Sequence, residues 1–416
     1  MFPRMKILTS LVVVGVLSVS AWQVRAQELH GFVEGLAGAR SADGPTVEAG
    51  DYTAEETRVQ LRISDYGDDA EYFARLDYRF DQLTEKNSDL EIREAYMVYT
   101  GWGSLDFKIG RQILTWGTGD LLFINDVFAK DWESFFIGRE DQYLKAPHDA
   151  LRVGFYPSVM NLNLVLIPKF EADRLPMPPR LAGYDPFGGL QQRIEMPANE
   201  IGNGEIALRA SRTVSGWDLA LYGHWGRFRQ PVGVARMDSA SVTLFYPRFN
   251  TYGASARSNL LGGVVNVEGG YLDSVDDSDG SNPLVENSSI RWMAGYDRQL
   301  ASDTQLGLQA YYEYMLDHGR YVEGLAPGQP VRDELRQLYT VRLTKMYQYQ
   351  TLIFSLFGFW SPTDEDYYLR ASGTKKLTDA LALSLGANVF GGKNDWTLFG
   401  SQEYNDNVYL RARYSF

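Results

Sequence analysis

Charged side chains recur at every second position in many short segments of this chain. Arg75, Asp77 and Arg79, for example, alternate with apolar or aromatic residues. Successive side chains of a β-strand point to opposite faces, so this spacing predicts one ionic face and one apolar face. An ionic face of this kind can solvate or orient polar molecules, but it is not a catalytic centre. The charged residues selected by this alternation are Arg75, Asp77, Arg79, Asp106, Lys108, Arg152, Arg209, Arg291, Arg342, Arg370, Arg411 and Arg413.

A second set of candidate residues lies in a long link at 114–148, between two predicted strands. A link of more than thirty residues that is rich in Trp and Phe needs a surface to bury against. We expect it either to fold into the space that the strands enclose and narrow it, or to pack outside as an Ω-loop. In the first case the narrowing residues would be Trp116, Asp120, Asp126, Lys130, Asp131, Glu133, Arg139 and Glu140.

Enzymatic and metal chemistry are not indicated. The chain has four histidines, none of them in a Ser or Asp arrangement typical of a hydrolase, and it lacks a Gly-x-Ser-x-Gly elbow. It has no cysteine, which excludes Cys-x-x-Cys-His haem attachment and thiolate clusters. The acidic segment 273–280 lacks the spacing of an EF-hand loop. We therefore expect no enzyme activity, no cofactor and no metal.

The elements that position the charged residues are short alternating segments, and helical periodicity is rare by comparison. Short links are predicted near 65–69, 101–104, 156–159, 215–216, 258–260, 301–303, 346–350 and 378–379, and longer ones at 40–55, 81–89, 114–148, 168–202, 228–241, 273–287, 316–333 and 391–406. Short turns on one side and long loops on the other are typical of an antiparallel up-and-down barrel. We predict about 18 strands, with 16 as the alternative. Residues 242–258 form one strand or two, and Glu94 interrupts an alternation where a bulge is expected.

The beginning of the chain has the pattern of a cleaved signal peptide. Arg4 and Lys6 precede an apolar run at 7–17, and Val24 and Ala26 precede the predicted cleavage point. The apolar run is shorter than the roughly 20 residues of a spanning helix. Cleavage would leave 27–416 as a single barrel domain and change the net charge from −13 to −16. Such an acidic protein is not suited to nucleic acid.

At the other end, apolar residues occupy alternate positions from 408 to 416, and Phe416 is the last residue. This pattern resembles the C-terminal signature of bacterial outer-membrane barrels. The resemblance implies that Tyr414 and Phe416 form the signal recognised by the barrel-assembly machinery. An ordinary amphipathic strand of a soluble β-protein is the alternative.

Composition agrees with a membrane barrel. The hydrophobic content is 44%, and no apolar run of 18 residues follows residue 26, so a helical membrane protein is excluded. Aromatic residues make up 13%, which fits the aromatic girdles of transmembrane barrels. We expect lipid and lipopolysaccharide of a Gram-negative outer membrane to surround the protein.

Barrels of 16–18 strands leave an aqueous channel. We therefore predict a porin-like channel for passive or selective diffusion of small hydrophilic solutes. An export conduit for an anionic polysaccharide and a sleeve around a partner protein remain alternatives, and a homo-oligomer or a periplasmic partner stays open.

The Gly110-Arg111-Gln112 segment with Trp116-Gly117 and Asp120 follows an Arg-Glu-Ala-Tyr strand at 93–96, and Ile-Pro-Lys-Phe follows at 167–170. Across 90–185 the chain resembles a large, poorly characterised family of porin-like outer-membrane barrels, distantly similar to the alginate-export type. The resemblance implies a passive or selective pore and names no solute. Relatives usually continue to an Asp and then Asn-Pro, whereas this chain has Asn125-Asp126 and lacks that proline, so the resemblance does not define the path of its loop.

Overall fold

The computed structural model describes residues 28–176, 178 and 180–416. The predicted signal peptide at 1–26 lies outside these residues. Within them, eighteen strands form one antiparallel sheet, in which each barrel strand pairs with the next along the chain. The first strand, Glu28–Arg40, also pairs with the last, Asn407–Ser415, so the sheet closes on itself. The predicted antiparallel barrel of about 18 strands is confirmed.

In chain order the strands are β1 (Glu28–Arg40), β2 (Tyr52–Tyr66), β3 (Ala70–Asp81), β4 (Ser88–Trp102), β5 (Leu105–Ile113), β6 (Pro147–Phe155), β7 (Asn161–Ile167), β8 (Gln191–Glu195), β9 (Glu205–Val214), β10 (Trp217–Arg227), β11 (Gly233–Met237), β12 (Ser241–Phe245), β13 (Arg248–Leu260), β14 (Gly263–Ser274), β15 (Ser289–Ala301), β16 (Thr304–Met315), β17 (Leu335–Tyr347), β18 (Leu352–Ser361), β19 (Asp366–Lys376), β20 (Leu381–Gly392) and β21 (Asn407–Ser415). Strands β8, β11 and β12 form a separate three-stranded sheet within the long links 168–204 and 228–247. Strand β8 runs parallel to β12, and β11 runs antiparallel to it.

The described helices are short. They are α1 (Trp132–Phe136) and α2 (His318–Gly324), with 3-10 turns at Asp141–Tyr143, Ile201–Asn203 and Gly400–Asn405. None of the helices in the described part of the chain has both the length and the apolar character needed to cross a membrane.

The alternation of residue types decides which face of each barrel strand points outward. Between β16 and β17, Leu308 lies opposite Val341 and both are exposed, whereas Gly307 lies opposite Arg342 on the other face. The barrel strands expose large apolar side chains, whereas the buried side chains of these strands include the charged residues Arg58, Asp77 and Glu268. The apolar set therefore points outward, and the charged set points into the barrel.

The links between barrel strands differ in length at the two ends of the barrel. The short-link end includes the turns 103–104, 215–216 and 261–262, and the long-link end includes the links 114–146 and 168–204. One link at the long-link end, 362–365, has only four residues and was not among the predicted links.

Two local details that the sequence left open are now defined. Residues 242–258 belong to two strands, since β12 ends at Phe245 in the small sheet and β13 begins at Arg248 in the barrel. A bulge lies where it was expected. Arg75 faces Glu94 and Leu76 faces Ile92, which leaves Arg93 as the additional residue.

Candidate functional site

The link 114–146 between β5 and β6, which we call loop 3, lies inside the barrel. Its first residues pack on the inner wall. The Trp116 ring lies 5.2 Å from the Phe128 ring of the same loop and 6.0 Å from the Tyr222 ring of β10. Leu114 and Phe128 complete a buried apolar patch with wall residues of β6, β7 and β9. The apolar residues Leu114, Trp116 and Phe128 therefore pack against the inner wall, and loop 3 does not pack outside the barrel as an Ω-loop.

The middle of loop 3 is attached to Glu268 of β14. One carboxylate oxygen accepts from the backbone N–H of Thr118 at 2.5 Å and from its hydroxyl at 3.0 Å. The other accepts from the backbone N–H of Asn125 at 2.8 Å and from its Nδ2 at 3.0 Å. Gly253 on β13 permits this approach, because a Cβ there would overlap the Asn125 side chain. Glu268 is buried, so the four donors converge on a carboxylate shielded from water.

Helix α1 fixes the next part of loop 3 against another sector of the wall. Asp131 caps the helix by accepting from the Ser134 N–H at 2.7 Å. Phe135 and Phe136 then pack against Tyr368 of β19, with ring centroids 5.4 and 5.7 Å away. Gly138 follows at a φ of +85° beside Tyr409, where a Cβ would overlap the ring. The loop thus reaches β21 only because glycine occupies this position.

Three acidic residues of loop 3 meet arginines of the wall. Asp120 pairs with Arg342 of β17 at 2.5 Å. Glu140 pairs with Arg413 of β21 at 2.7 Å, and Asp141 with Arg370 of β19 at 2.9 Å. The pairs remain open to the lumen, since the side chains of Asp120 and Asp141 are 43% and 48% exposed.

Asp141 was absent from the residues selected by sequence. It adjoins Glu140 in one acidic run, and this adjacency was the available signal. Arg342 lies within 3.5 Å of Asp141 as well as 2.5 Å from Asp120, so one wall arginine joins two distant parts of the loop.

Arg139 is buried between loop 3 and the wall and does not face the lumen. Its guanidinium is buried and contacts the Glu56 carboxylate of β2 at 2.6 Å, and it also donates to the Ser134 hydroxyl at 2.8 Å. Burial alone would lower the pKa of Arg139, but the Glu56 carboxylate outweighs it and holds the pKa above its ordinary value. Arg139 therefore anchors the loop to the wall and stays charged.

The other charged residues selected in loop 3 form ion pairs within the long links. Lys130 is buried and its ammonium lies 3.2 Å from Asp126; burial lowers its pKa despite that partner. Asp126 also pairs with Lys145 at 3.2 Å. Glu133 lies 3.5 Å from Arg180 of the next long link.

The twelve wall residues selected by alternation lie on the inner face by register. Four of them, Arg342, Arg370, Arg411 and Arg413, contact loop 3. Four others pair with charged groups of the wall: Arg75 with Glu94, Asp77 with Arg58, Arg79 with Asp89, and Arg291 with Glu313.

The remaining four, Asp106, Lys108, Arg152 and Arg209, lie on β5, β6 and β9. Lys108 stands directly opposite Arg152 across the β5–β6 pair, and its ammonium lies over the Tyr96 ring at 3.5 Å. The structure therefore does not unite the selected wall residues in one cluster; it distributes them around the lumen.

A second link, 168–204, enters the barrel mouth. Arg174 of the link 168–204 contacts Glu91 of β4 at 2.6 Å and accepts, through its carbonyl, from the Trp132 N–H at 2.9 Å. Arg180 contacts Asp81 of β3 at 2.5 Å, and Leu181 is completely buried in the core cluster shared with loop 3. Arg174, Arg180 and Leu181 of this link therefore pack against loop 3.

Two cavities flank the middle segment of loop 3. A cavity of about 570 Å³ at the long-link end is lined by Phe123 and Ile124. A cavity of about 810 Å³ toward the short-link end is lined by Thr118 and Asp120. Leu122 and Ile124 pack in one buried cluster with wall residues that include Met293. The segment 118–126 thus separates an outer from an inner chamber.

The histidines do not form a catalytic arrangement in the described part of the chain. His148 and His224 are buried in the wall, and His148 accepts from the Ala129 N–H at 2.9 Å. His318 contacts the Arg332 carbonyl at 2.7 Å. Among the described residues, none of the histidines is hydrogen-bonded to a serine or an aspartate.

No protein-family model and no curated protein sequence matches the chain. Among solved structures, the barrel is similar to OccD3 (OpdP) of Pseudomonas aeruginosa, with a TM-score of 0.55 and 11% identity over 94% of this chain and 92% of that one. A mutant of the Rh. blastica porin gives a TM-score of 0.43 at 12% identity, covering 94% and 100% of the two chains. A loop-deletion mutant of OmpT, an outer membrane protein of Vibrio cholerae, gives 0.42 at 10% identity, covering 94% and 99%.

The likeness to OccD3 shows the fold alone. By fold, the chain is a closed antiparallel barrel of eighteen described strands. The predicted similarity to alginate-export barrels stays a prediction.

Proposed function

We propose that this chain is an outer-membrane channel for the diffusion of small hydrophilic solutes, and that loop 3 is its constriction. The barrel has an apolar outer face and a charged inner face. A lumen of eighteen strands is wide enough to hold water, and charged inner residues need that water. The long-link end would face the outside of the cell, as in other transmembrane barrels.

The observation that carries this proposal is the set of ion pairs between loop 3 and the wall. Asp120, Glu140 and Asp141 lie on the loop, and arginines of β17, β19 and β21 face them. Each carboxylate lies beside its guanidinium group and the pairs stay partly exposed, so together they would create a local electric field at the edge of the lumen. Such a field orients a polar solute and replaces part of its hydration as it passes.

The charges at the constriction favour small solutes over an anionic polymer. Arg342, Arg370 and Arg413 already have carboxylate partners on loop 3. A polyanion would have to compete with these partners at each arginine. Arg174, Arg180 and Leu181 of the link 168–204 occupy a further part of the mouth, which leaves less room for a chain in transit.

The same proposal covers export and assembly. The segment 1–26 would direct the chain through the inner membrane, and Tyr414 and Phe416 would present it to the barrel-assembly machinery. The outward apolar face would then meet lipid and lipopolysaccharide.

Conductance in planar bilayers tests the proposal. The purified protein should give stable current steps, and deletion of 120–145 should enlarge them. A deletion of the exposed turn 185–189 in the next long link is the control and should leave the steps unchanged. A folded barrel without conductance, or equal steps in all three proteins, would contradict the proposal.

A further inference from the structure

The outer chamber is lined by aromatic rings and charged side chains that take no part in the ion pairs of the constriction. This cavity of about 570 Å³ lies at the long-link end, and segment 123–124 of loop 3 forms its floor. Its volume is in the range of binding sites for small organic molecules. A solute that enters from the long-link end reaches this chamber before it reaches Asp120.

One side of the chamber carries arginines that each have a carboxylate partner. Arg291 pairs with Glu313 at 2.8 Å and Arg336 with Asp364 at 2.6 Å. Arg332 also pairs with its own carboxylate, Glu286, at 2.9 Å. An anion would have to displace a carboxylate from its guanidinium, and a cation would have to displace an arginine. A hydroxyl group avoids this competition, because it accepts from a free guanidinium N–H and donates to a free carboxylate lone pair.

The chamber also carries aromatic rings. Trp132 of α1 is held by a hydrogen bond from its Nε1 to Asp173 at 2.9 Å, and its ring meets Phe123 at 6.0 Å. Trp396, from the link 393–406, is half-buried and also lines the chamber. Because these links are separate in sequence, the barrel itself brings the two indole rings to one cavity.

We propose that the outer chamber binds a neutral saccharide before it passes the constriction. A sugar ring has apolar C–H faces, which can pack on aromatic rings, and hydroxyl groups at its edges. The hydroxyl groups can form hydrogen bonds with arginine–carboxylate pairs whose charges cancel. The proposal deepens the channel function and rests on it, since the chamber is the entrance of that channel. A zwitterionic amino acid is the competing ligand, because its two charges could also meet an arginine and a carboxylate.

Titration calorimetry on the purified barrel in detergent separates this inference from conductance. The probes are maltose and glucose, with glucuronate, glucosamine and phenylalanine as charged comparisons. We expect saturable binding of a neutral sugar and weaker binding of every charged probe. Trp132→Ala and Trp396→Ala should each weaken sugar binding by about tenfold. Trp360→Ala, on the exposed outward face of β18, is the control and should not change it.

The outcomes distinguish the two proposals. Sugar binding by a barrel that conducts no ions would support the chamber and overturn the open channel. Conductance without sugar binding would overturn the chamber alone. Tighter binding of phenylalanine or glucuronate than of maltose and glucose would overturn the choice of a neutral saccharide, as would equal effects of the Trp396 and Trp360 variants.

Discussion

Replacement of Glu268 by Gln should release the middle of loop 3 from β14 while the barrel stays closed. Thr118 directs two donors at one carboxylate oxygen, and Asn125 directs two at the other. The amide of glutamine can present only one oxygen. Its NH₂ group would therefore face two donors that it cannot accept from. The remaining two hydrogen bonds would be made to a neutral amide oxygen instead of a charged carboxylate.

The size of the effect follows from the four contacts. A hydrogen bond to a charged group contributes about 1.5–3 kcal/mol, and an unsatisfied buried donor carries a further cost. Since the contacts share one carboxylate, they do not add fully, and we expect a loss of about 3–4 kcal/mol in the free energy of local opening. At 1.4 kcal/mol per tenfold change, the segment 118–125 should open roughly 10²- to 10³-fold more often.

Amide hydrogen exchange measured by mass spectrometry tests this expectation. In Glu268→Gln, exchange at 118–125 should accelerate by roughly 10²- to 10³-fold, while the barrel strands keep their protection. Asp297→Asn is the matched control, because it removes an inward carboxylate of the neighbouring β15 that has no hydrogen bond to loop 3 among the described residues. Equal exchange at 118–125 in both variants would refute the reasoning, as would a loss of protection that spreads evenly through the strands.

Four further predictions concern loop 3. Asp120→Asn combined with Asp141→Asn leaves wall arginines unpaired, so the reversal potential in a salt gradient should shift toward anion selectivity; a shift toward cations would contradict it. Gly138→Ala should destabilise the folded barrel by about 1–3 kcal/mol in urea unfolding, because φ is +85° and a ring blocks the Cβ; unchanged stability would contradict the described path. Arg139→Met removes the nearer of the two guanidinium partners of buried Glu56, which keeps only Arg58 at 3.2 Å, and should cost about 3 kcal/mol in the same assay, whereas a gain in stability would contradict its anchoring role. Burial lowers the pKa of Lys130 below its ordinary 10.5, so the unfolded chain binds more protons between those two values; stability should rise with pH in that window, and Lys130→Met should remove this rise.

The barrel itself was predictable because its signals are local. Alternation over a few residues assigns each side chain to a face, and link length assigns each connection to one end. Even the bulge at Arg93 could be expected, since Glu94 interrupts an otherwise regular apolar alternation. The link 362–365 was not predicted, because with four residues it is as short as the turns at the short-link end.

The path of loop 3 could not be predicted, because it depends on contacts far apart in sequence. Thr118 is 150 residues from Glu268, and Arg139 reaches back 83 residues to Glu56. The sequence showed that the loop needed a surface to bury against, but it did not show which strand would provide it.

The roles of individual loop charges were also beyond the sequence. Asp120 and Glu140 reach wall arginines, whereas Asp126 and Lys130 pair with each other. All four residues look alike as charges in one loop. Only burial separates them, because a buried pair holds the loop together and an exposed pair remains available to a solute.

A single introduced thiol tests most directly whether solutes pass loop 3. The chain has no cysteine, so Asp120→Cys gives one defined target between the two chambers. In a planar bilayer, the current through this variant should fall stepwise when a bulky charged methanethiosulfonate reagent is added, and the unmodified parent should not respond. A current that stays constant after the thiol is shown to be fully modified would contradict a channel that runs past loop 3.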